Sequence, residues 1–379
     1  MLDDLSPIWV DTAEGLREVA GAVAEVGRMA LDTEADSLHS YFHKVCLIQV
    51  TANGRNFVID PLALKPDDLR PLWHVVEDPG LPVLMHGADY DLRVLDRDYG
   101  VRIRGLQDTQ TMAQVLGEPK TGLATLLERD VGVALDKRHQ RADWGRRPLT
   151  RSQVVYAAAD TAFLGRLAAG LRARLEELGR WSWAVEEFGR LEEVRFEPPE
   201  PDPLAFERVK GVRVLRGADR DRAYSLVQWR DLEAQRLDTP PFKVLGNAPL
   251  VALASSPPAT VAELAEVDGI GPRFARRWGR EVVALLARPE AAPAPRRGRR
   301  EPDPPPVVVK RTRRLAAARD RIAAELGIEP GLLCPRACVA AVASRRPRCA
   351  SRRDLERAGL DGWRLDVLAE PFLDSLAES

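Results

Sequence analysis

The 379-residue chain reads as a mixed α/β segment followed by two smaller all-helical segments, and three observations carry that reading. Apolar runs of strand length, bounded by turn residues, occur in about the first quarter of the chain only. Beyond them, apolar residues recur at helical spacing. Two proline-rich breaks then divide the sequence. In Glu197-Pro198-Pro199-Glu200-Pro201-Asp202-Pro203 the alternating prolines forbid a continuing helix. Residues 289–306 are rich in Pro and Arg and hold no apolar side chain larger than Ala, too little to offset the entropy of ordering. The expected organisation is a domain at 1–195, a linker at 196–204, a helical domain at 205–288, a second linker at 289–306 and a further helical domain at 307–379.

In the first domain the strands are expected at 28–34, 45–50, 56–60 and 82–86, with Asn53-Gly54 supplying a hairpin turn that tolerates positive φ. Helices follow at 89–99, 109–116, 123–130 and from Thr150 to about Leu178, the last with Thr150 or Ser152 as cap. Strands first and helices after predict a partly antiparallel sheet with helices on its faces. In the second segment helices are expected at 219–237, at 248–255 capped by Asn247, at 261–267 capped by Thr260, and at 273–286 after a Gly269-Ile270-Gly271-Pro272 turn. The third repeats that order at 313–326, 336–344 and 352–358, then Gly359-Leu360-Asp361-Gly362 and a last helix, as a diverged internal repeat.

Composition excludes several classes. Lys+Arg number 56 and Asp+Glu 57, for a net charge of −1, so no uniform basic coat is present. Positive charge is local instead: between Arg296 and Arg321 ten basic residues meet three acids, a balance of +7 that leaves −8 elsewhere. Such a run suits a phosphate tether acting by counterion release, or a linker kept solvated by charge. No run of about 18 apolar residues is present, so no membrane span or membrane partner is expected. The N-terminus is acidic where an export signal is basic. Four cysteines (Cys46, Cys334, Cys338, Cys349) are too few and scattered for a disulfide framework, which points to the cytoplasm. All five histidines lie at or before position 139, so the three C-terminal thiols lack a zinc-site partner.

Asp32-Thr33-Glu34 closes an apolar strand, and alternation puts both carboxylates on one face, where they repel unless a cation intervenes. With so many acids, this spacing recurs about nine times by chance, so the pair alone decides nothing. In Tyr156-Ala157-Ala158-Ala159-Asp160 the helical i,i+4 spacing sets the tyrosine and the aspartate on one face, with alanines leaving room for close packing. Asp91 stands in His86-Gly87-Ala88-Asp89-Tyr90-Asp91-Leu92, just past a strand and near a helix start.

Taken together and in this order, these segments resemble the three motifs of the DEDD superfamily of 3′→5′ exonucleases. The tyrosine four residues before the last aspartate matches its tyrosine subclass. The run Ala142-Asp143-Trp144-Gly145-Arg146-Arg147-Pro148-Leu149, the Leu47-Ile48-Gln49 strand and the trailing helical modules narrow the resemblance to the ribonuclease D family with HRDC domains. The resemblance implies a ribonuclease H-like exonuclease domain followed by two HRDC-like helical modules. It further implies two divalent cations, Mg²⁺ or Mn²⁺, with Asp32, Glu34 and Asp160 on one ion, Asp32 bridging to the second, and Asp91 supporting that second ion. Tyr156, with an ordinary pKa near 10, is expected to orient the attacking water rather than to deprotonate it.

The implied activity is removal of 3′ residues from transfer-RNA precursors and other structured RNAs, releasing 5′-mononucleotides, with no protein partner evident. The alternatives are a DNA-directed exonuclease and a non-catalytic nucleic-acid-binding protein. His86 is expected to be packed or hydrogen-bonded rather than catalytic. Trp144 with Arg147 is placed to contact the substrate end, or else to plug the rim of a core. Arg273, Arg276 and Arg277 stand at a helix start where backbone N–H groups and charge favour a phosphate, unless the turn serves only to join two helices.

Overall fold

In the computed structural model, residues 5–136, 138–294 and 303–377 are described. The molecule divides into two compact units. One comprises Met1–Glu34, Val45–Glu197 and Pro302–Ser379, and the other Ala35–Lys44 with Pro198–Glu301.

The first unit is built on a six-stranded sheet of order β1-β4-β3-β2-β5-β6. Its strands are β1 (Ile8–Val10), β2 (Met29–Ala35), β3 (Val45–Ala52), β4 (Arg55–Ile59), β5 (Val83–Met85) and β6 (Leu106–Asp108). β3 and β4 form the expected antiparallel hairpin, Ile48 opposite Ile59 and Ala52 opposite Arg55, across Asn53 and Gly54, both at positive φ. The pairs β1–β4, β2–β5 and β5–β6 are parallel, so the sheet is mixed. β1 and β6 were not expected. Three residues are too few to show a period of two, and both strands exist because a neighbour's ladder is open to them.

The N-terminal domain's helices are α1 (Ala13–Val26), α2 (Arg70–Val76), α3 (Asp89–Tyr99), α4 (Thr109–Leu116), α5 (Leu123–Leu126), α6 (Arg151–Ala162), α7 (Leu164–Glu177) and α8 (Trp181–Glu192). The single helix expected from Thr150 onward is broken at Phe163, which leaves helical geometry (φ −111, ψ −2). The break lets α6 lie on β3 and β4 while α7 packs against α4, which one straight rod would not satisfy together. Read as one stretch, Arg151–Glu177 is long and apolar enough to cross a bilayer, yet half of its most apolar window is buried inside the protein.

The second unit's helices are α9 (Gly217–Arg236), α10 (Pro241–Val244), α11 (Asn247–Ser255), α12 (Val261–Ala265) and α13 (Pro272–Ala287). Those of the third segment are α14 (Pro306–Leu326), α15 (Pro330–Leu333), α16 (Arg336–Ser344), α17 (Arg352–Glu356) and α18 (Gly362–Ala377). Helix lengths match step for step, 20, 4, 9, 5 and 16 residues against 21, 4, 9, 5 and 16. The five-residue helix is capped by a hydroxyl in both, Thr260 and Ser351. A buried arginine thirteen positions into the long helix donates to the carbonyl just past the four-residue helix in both: Arg230 to Leu245 at 3.0 Å, Arg319 to Cys334 at 3.1 Å. Asn247 does not cap α11 as expected; its side chain accepts from Arg230 instead.

The third segment has an apolar core of its own, including Leu315, Leu333, Trp363, Leu368 and Phe372. It is packed within the first unit nonetheless. Trp363 stacks on Trp183 of α8 with ring centres 4.6 Å apart. The buried Glu187 accepts from Trp363 Nε1 (2.7 Å), Arg364 (2.8 Å) and Arg190 (2.6 Å). Arg180 donates to the carbonyls of Val115 and Leu326, joining the ends of α4 and α14.

Candidate active site

The site is assembled from three stretches of the first unit. On β2, Leu31 points into the core shared with α1, while Ala30 points into the core shared with α4 and α7. Alternation continues the Ala30 face into Asp32 and Glu34. Asp91 lies in the first turn of α3 and is almost fully buried. Its carboxylate accepts a short hydrogen bond from the Thr33 hydroxyl, on the strand between the two acids. The start of α3 is itself fixed by the buried Asp108, which accepts from Ala88 N (3.0 Å) and caps α4 through Thr111 N (2.6 Å).

The third stretch is α6, whose Thr150 cap forms a reciprocal capping box with Gln153. Ala157, Ala158 and Ala159 are buried, so the helix backbone sits close to the sheet, and Thr161 pairs with Thr51 of β3 at 2.8 Å. That seating brings Tyr156 and Asp160 to the carboxylates of β2. The Tyr156 ring stacks on Trp144 (5.9 Å between centres, 27° between planes) and meets the edge of His139 at 5.8 Å.

Electrostatics locate the four acids together. Burial first, then Asp91, Asp160 and Glu34, raise the Asp32 pKa well above the carboxylate range. Burial, Asp160 and Asp91 push Glu34 up to about 9. Burial and Asp91 push Asp160 up to about 7. Asp91 is raised to about 6 by burial, against the opposing pull of the Thr33 hydroxyl. The Tyr156 phenol is pushed up by burial, then by Asp160, Glu34 and Asp32, so it keeps its proton.

Among the described residues no group of three such side chains is already drawn tightly enough to hold an ion. The donor set nevertheless fits divalent cations: crowded hard carboxylate oxygens, half-buried on Asp32, Glu34 and Asp160, whose main influences are burial and one another.

Two cavities reach Tyr156 and Asp160. One, of about 420 Å³, is walled by Arg138, His139, Arg151 and Ser152; the other, of about 350 Å³, by His86, Gly122–Thr125 and Gln140. Leu135 and Asp136 line both, so these two residues partition the space beside Tyr156 and Asp160. His86 Nδ1 lies 2.9 Å from the Thr109 hydroxyl, and burial lowers its pKa, which favours the neutral ring.

Of the two readings of Trp144, the structure has the core-plugging one: it is 1% exposed and stacks on Tyr156. The Arg147 guanidinium binds both oxygens of Asp60 at 2.7 Å and the carbonyls of Trp144 and Cys46, so its donors are engaged within the fold. In the second unit Arg273, Arg276 and Arg277 are exposed on the first turns of α13, with Arg277 over the Trp278 ring. In the Arg-rich run, residues 296–302 lie outside the described residues. Arg319 is buried and structural, a further correction to its counting as tether charge.

Thr33 and Asp108 are supporting residues that sequence reasoning missed. The position of Thr33 between two acids on the opposite strand face, and the helix-capping pattern of Asp108 before Thr109, were the available signals.

Residues 7–176 match the family described as 3'-5' exonuclease, and residues 219–286 match the HRDC domain. The chain is similar to Ribonuclease D of Gluconacetobacter diazotrophicus, 30% identical and covering 97% of this chain and 92% of that one. Ribonuclease D of Granulibacter bethesdensis is 29% identical with the same coverage. Among solved structures, Escherichia coli RNase D, described as an exoribonuclease involved in structured RNA processing, superposes with a TM-score of 0.64 at 25% identity, covering 98% of this chain and 99% of that one.

Proposed function

The chain belongs to the ribonuclease D family of 3′→5′ exoribonucleases, whose chemistry depends on divalent cations, and from that premise we propose that it trims the 3′ extensions of transfer-RNA precursors and other structured RNAs in the cytoplasm. The reading rests on one observation above all: Asp32, Glu34 and Asp160, from two distant stretches, each have their proton affinity raised by burial and by neighbouring acids of the set, with Asp91 of a third stretch acting on all three. Four carboxylates that repel in this way are tolerable when cations occupy the space between them.

Asp32, Glu34 and Asp160 would hold one ion, and Asp32 and Asp91 the second, as Mg²⁺ or Mn²⁺. Such a pair lowers the pKa of water and clamps the attacking and leaving oxygens of the phosphodiester. The protein's own groups then orient and restrain. Tyr156 Oη retains its proton across the working pH range, so it directs the attacking water by hydrogen bond and removes no proton. Trp144 fixes the plane of that phenol from below. Thr33 holds one Asp91 oxygen and thereby limits its rotation.

The test is digestion of a 3′-extended transfer-RNA precursor and a matched DNA strand, with and without EDTA. The expected result is stepwise release of 5′-mononucleotides from RNA, abolished by EDTA. Faster attack on DNA, or EDTA-resistant cleavage, would overturn the proposal.

A further inference from the structure

The proposed catalysis leaves residues 35–44 without a role, although they follow Glu34 directly at the end of β2. They belong to the second unit and are held there firmly. One oxygen of Asp238 accepts from both Tyr41 N (3.0 Å) and Phe42 N (2.9 Å). Tyr41 Oη donates to Asp231 at 2.9 Å and accepts from Gln235 Nε2 at 3.1 Å, and the Tyr41 ring packs on the helical core. Asp238 adopts φ +43°, a conformation that a non-glycine residue takes at a cost and that surrounding contacts must hold.

The consequence is an outward aromatic. With Tyr41 anchored inward, Phe42 stands 61% exposed, and Leu38 of the same loop 45%. The stretch that clamps the loop continues into α10, where Phe242 is 53% exposed and the exposed Lys243 places Nζ 3.2 Å from His39 Nδ1. The acids of the neighbourhood are engaged: Asp36 by Lys44 and Ser40, Asp231 by Tyr41 and Gln235, Asp238 by two amides. Single exposed apolar side chains are ordinary. A loop fixed by four hydrogen bonds so that it displays phenylalanine, beside a second exposed phenylalanine and a lysine, is the chemistry that binds single-stranded nucleic acid, with bases on aromatic faces and phosphates near a cation.

We propose that Phe42, with Phe242 and Lys243, is a stacking platform for single-stranded nucleotides of the RNA substrate. The proposal rests on the exoribonuclease reading and names where that substrate is gripped away from the metal-binding acids. The experiment uses the full chain and its Phe42→Ala, Phe42→Trp and Phe242→Ala variants, with steady-state kinetics on an oligoadenylate about twelve nucleotides long and on a dinucleotide too short to span both places. Phe42→Ala is expected to raise KM for the long RNA about 5- to 100-fold, the loss of one stacked base, with kcat and dinucleotide hydrolysis unchanged. Phe242→Ala is expected to act in the same direction, and Phe42→Trp to restore the wild-type KM. An unchanged KM for the long RNA, an equal effect on both substrates, or failure of tryptophan to rescue would overturn the platform and mark Phe42 as a surface for something other than RNA. A wild-type enzyme inactive on both RNAs would overturn the exoribonuclease reading itself, and the platform with it.

Discussion

Thr33 shows how much one hydroxyl controls here. Its bond to Asp91 opposes the burial that raises that carboxyl to about 6. Thr33→Val keeps the shape and removes the donor, so the acid limb of the pH–rate profile is expected to move to higher pH, with kcat at neutral pH falling about tenfold. An unmoved limb would show that Thr33 only packs. Asp32→Asn, Asp91→Asn and Asp160→Asn are each expected to lower turnover by at least about a thousandfold with unchanged circular dichroism. In metal-free protein the same Asp32→Asn change is expected to raise Tm by about 2–5 °C, because it removes a carboxyl whose ionisation burial and its neighbours oppose. Arg147→Ala leaves the buried Asp60 carboxylate without its partner, an expected loss of about 3 kcal/mol in urea unfolding.

The helix α6 carries two groups of the site, and its first turn is what a capping substitution tests. Thr150→Ala removes the side-chain acceptor for Gln153 N and is expected to cost about 1 kcal/mol, while Thr150→Ser is neutral. Glycine 117, at the end of α4 with φ +84°, has no room for a side chain: a Cβ there would collide with the Gly327 carbonyl at the end of α14. Gly117→Ala is therefore expected to destabilise by about 2–3 kcal/mol and to loosen the third segment, seen as faster hydrogen exchange over α14. Helices α9–α13 and α14–α18 repeat one design at this level, down to the buried Arg230 and Arg319 that close the turn after the four-residue helix.

Across the molecule the site makes stability depend on pH and metal together. Asp91, Asp160 and Glu34 have folded-state pKa values of about 6, 7 and 9, all above those of an unfolded chain. The folded, metal-free protein thus binds protons that the unfolded chain has released. Its stability from these groups is full below pH about 4 and is lost as pH rises toward 9. The Tm in EDTA is expected to fall over that window, and added Mn²⁺ to raise it by an increment that grows with pH. A pH-independent increment would place the ion elsewhere. Because Trp363 on Trp183 and Glu187, and Arg190 on Asp361, tie the third segment into the first unit, Trp183→Ala and Trp363→Ala are expected to lower the same calorimetric transition.

The members of the candidate site were readable along the chain because its residue types stand at local spacings: two acids on one strand face, a tyrosine and an aspartate one helical turn apart. The hairpin at Asn53-Gly54, the cap at Thr150 and the helical repeat were readable for the same reason, since turns, caps and periodicities are set by neighbours in sequence. Folding alone decided that Trp144 lies under Tyr156 rather than in solvent, that Arg147 is spent on an aspartate 87 residues away, and that one long helix breaks at Phe163. It also set the three-residue strands at both sheet edges and the seating of the third segment in the first unit. Each of those outcomes depends on which distant surface a side chain meets, and burial against a distant surface leaves no periodic mark in a linear sequence.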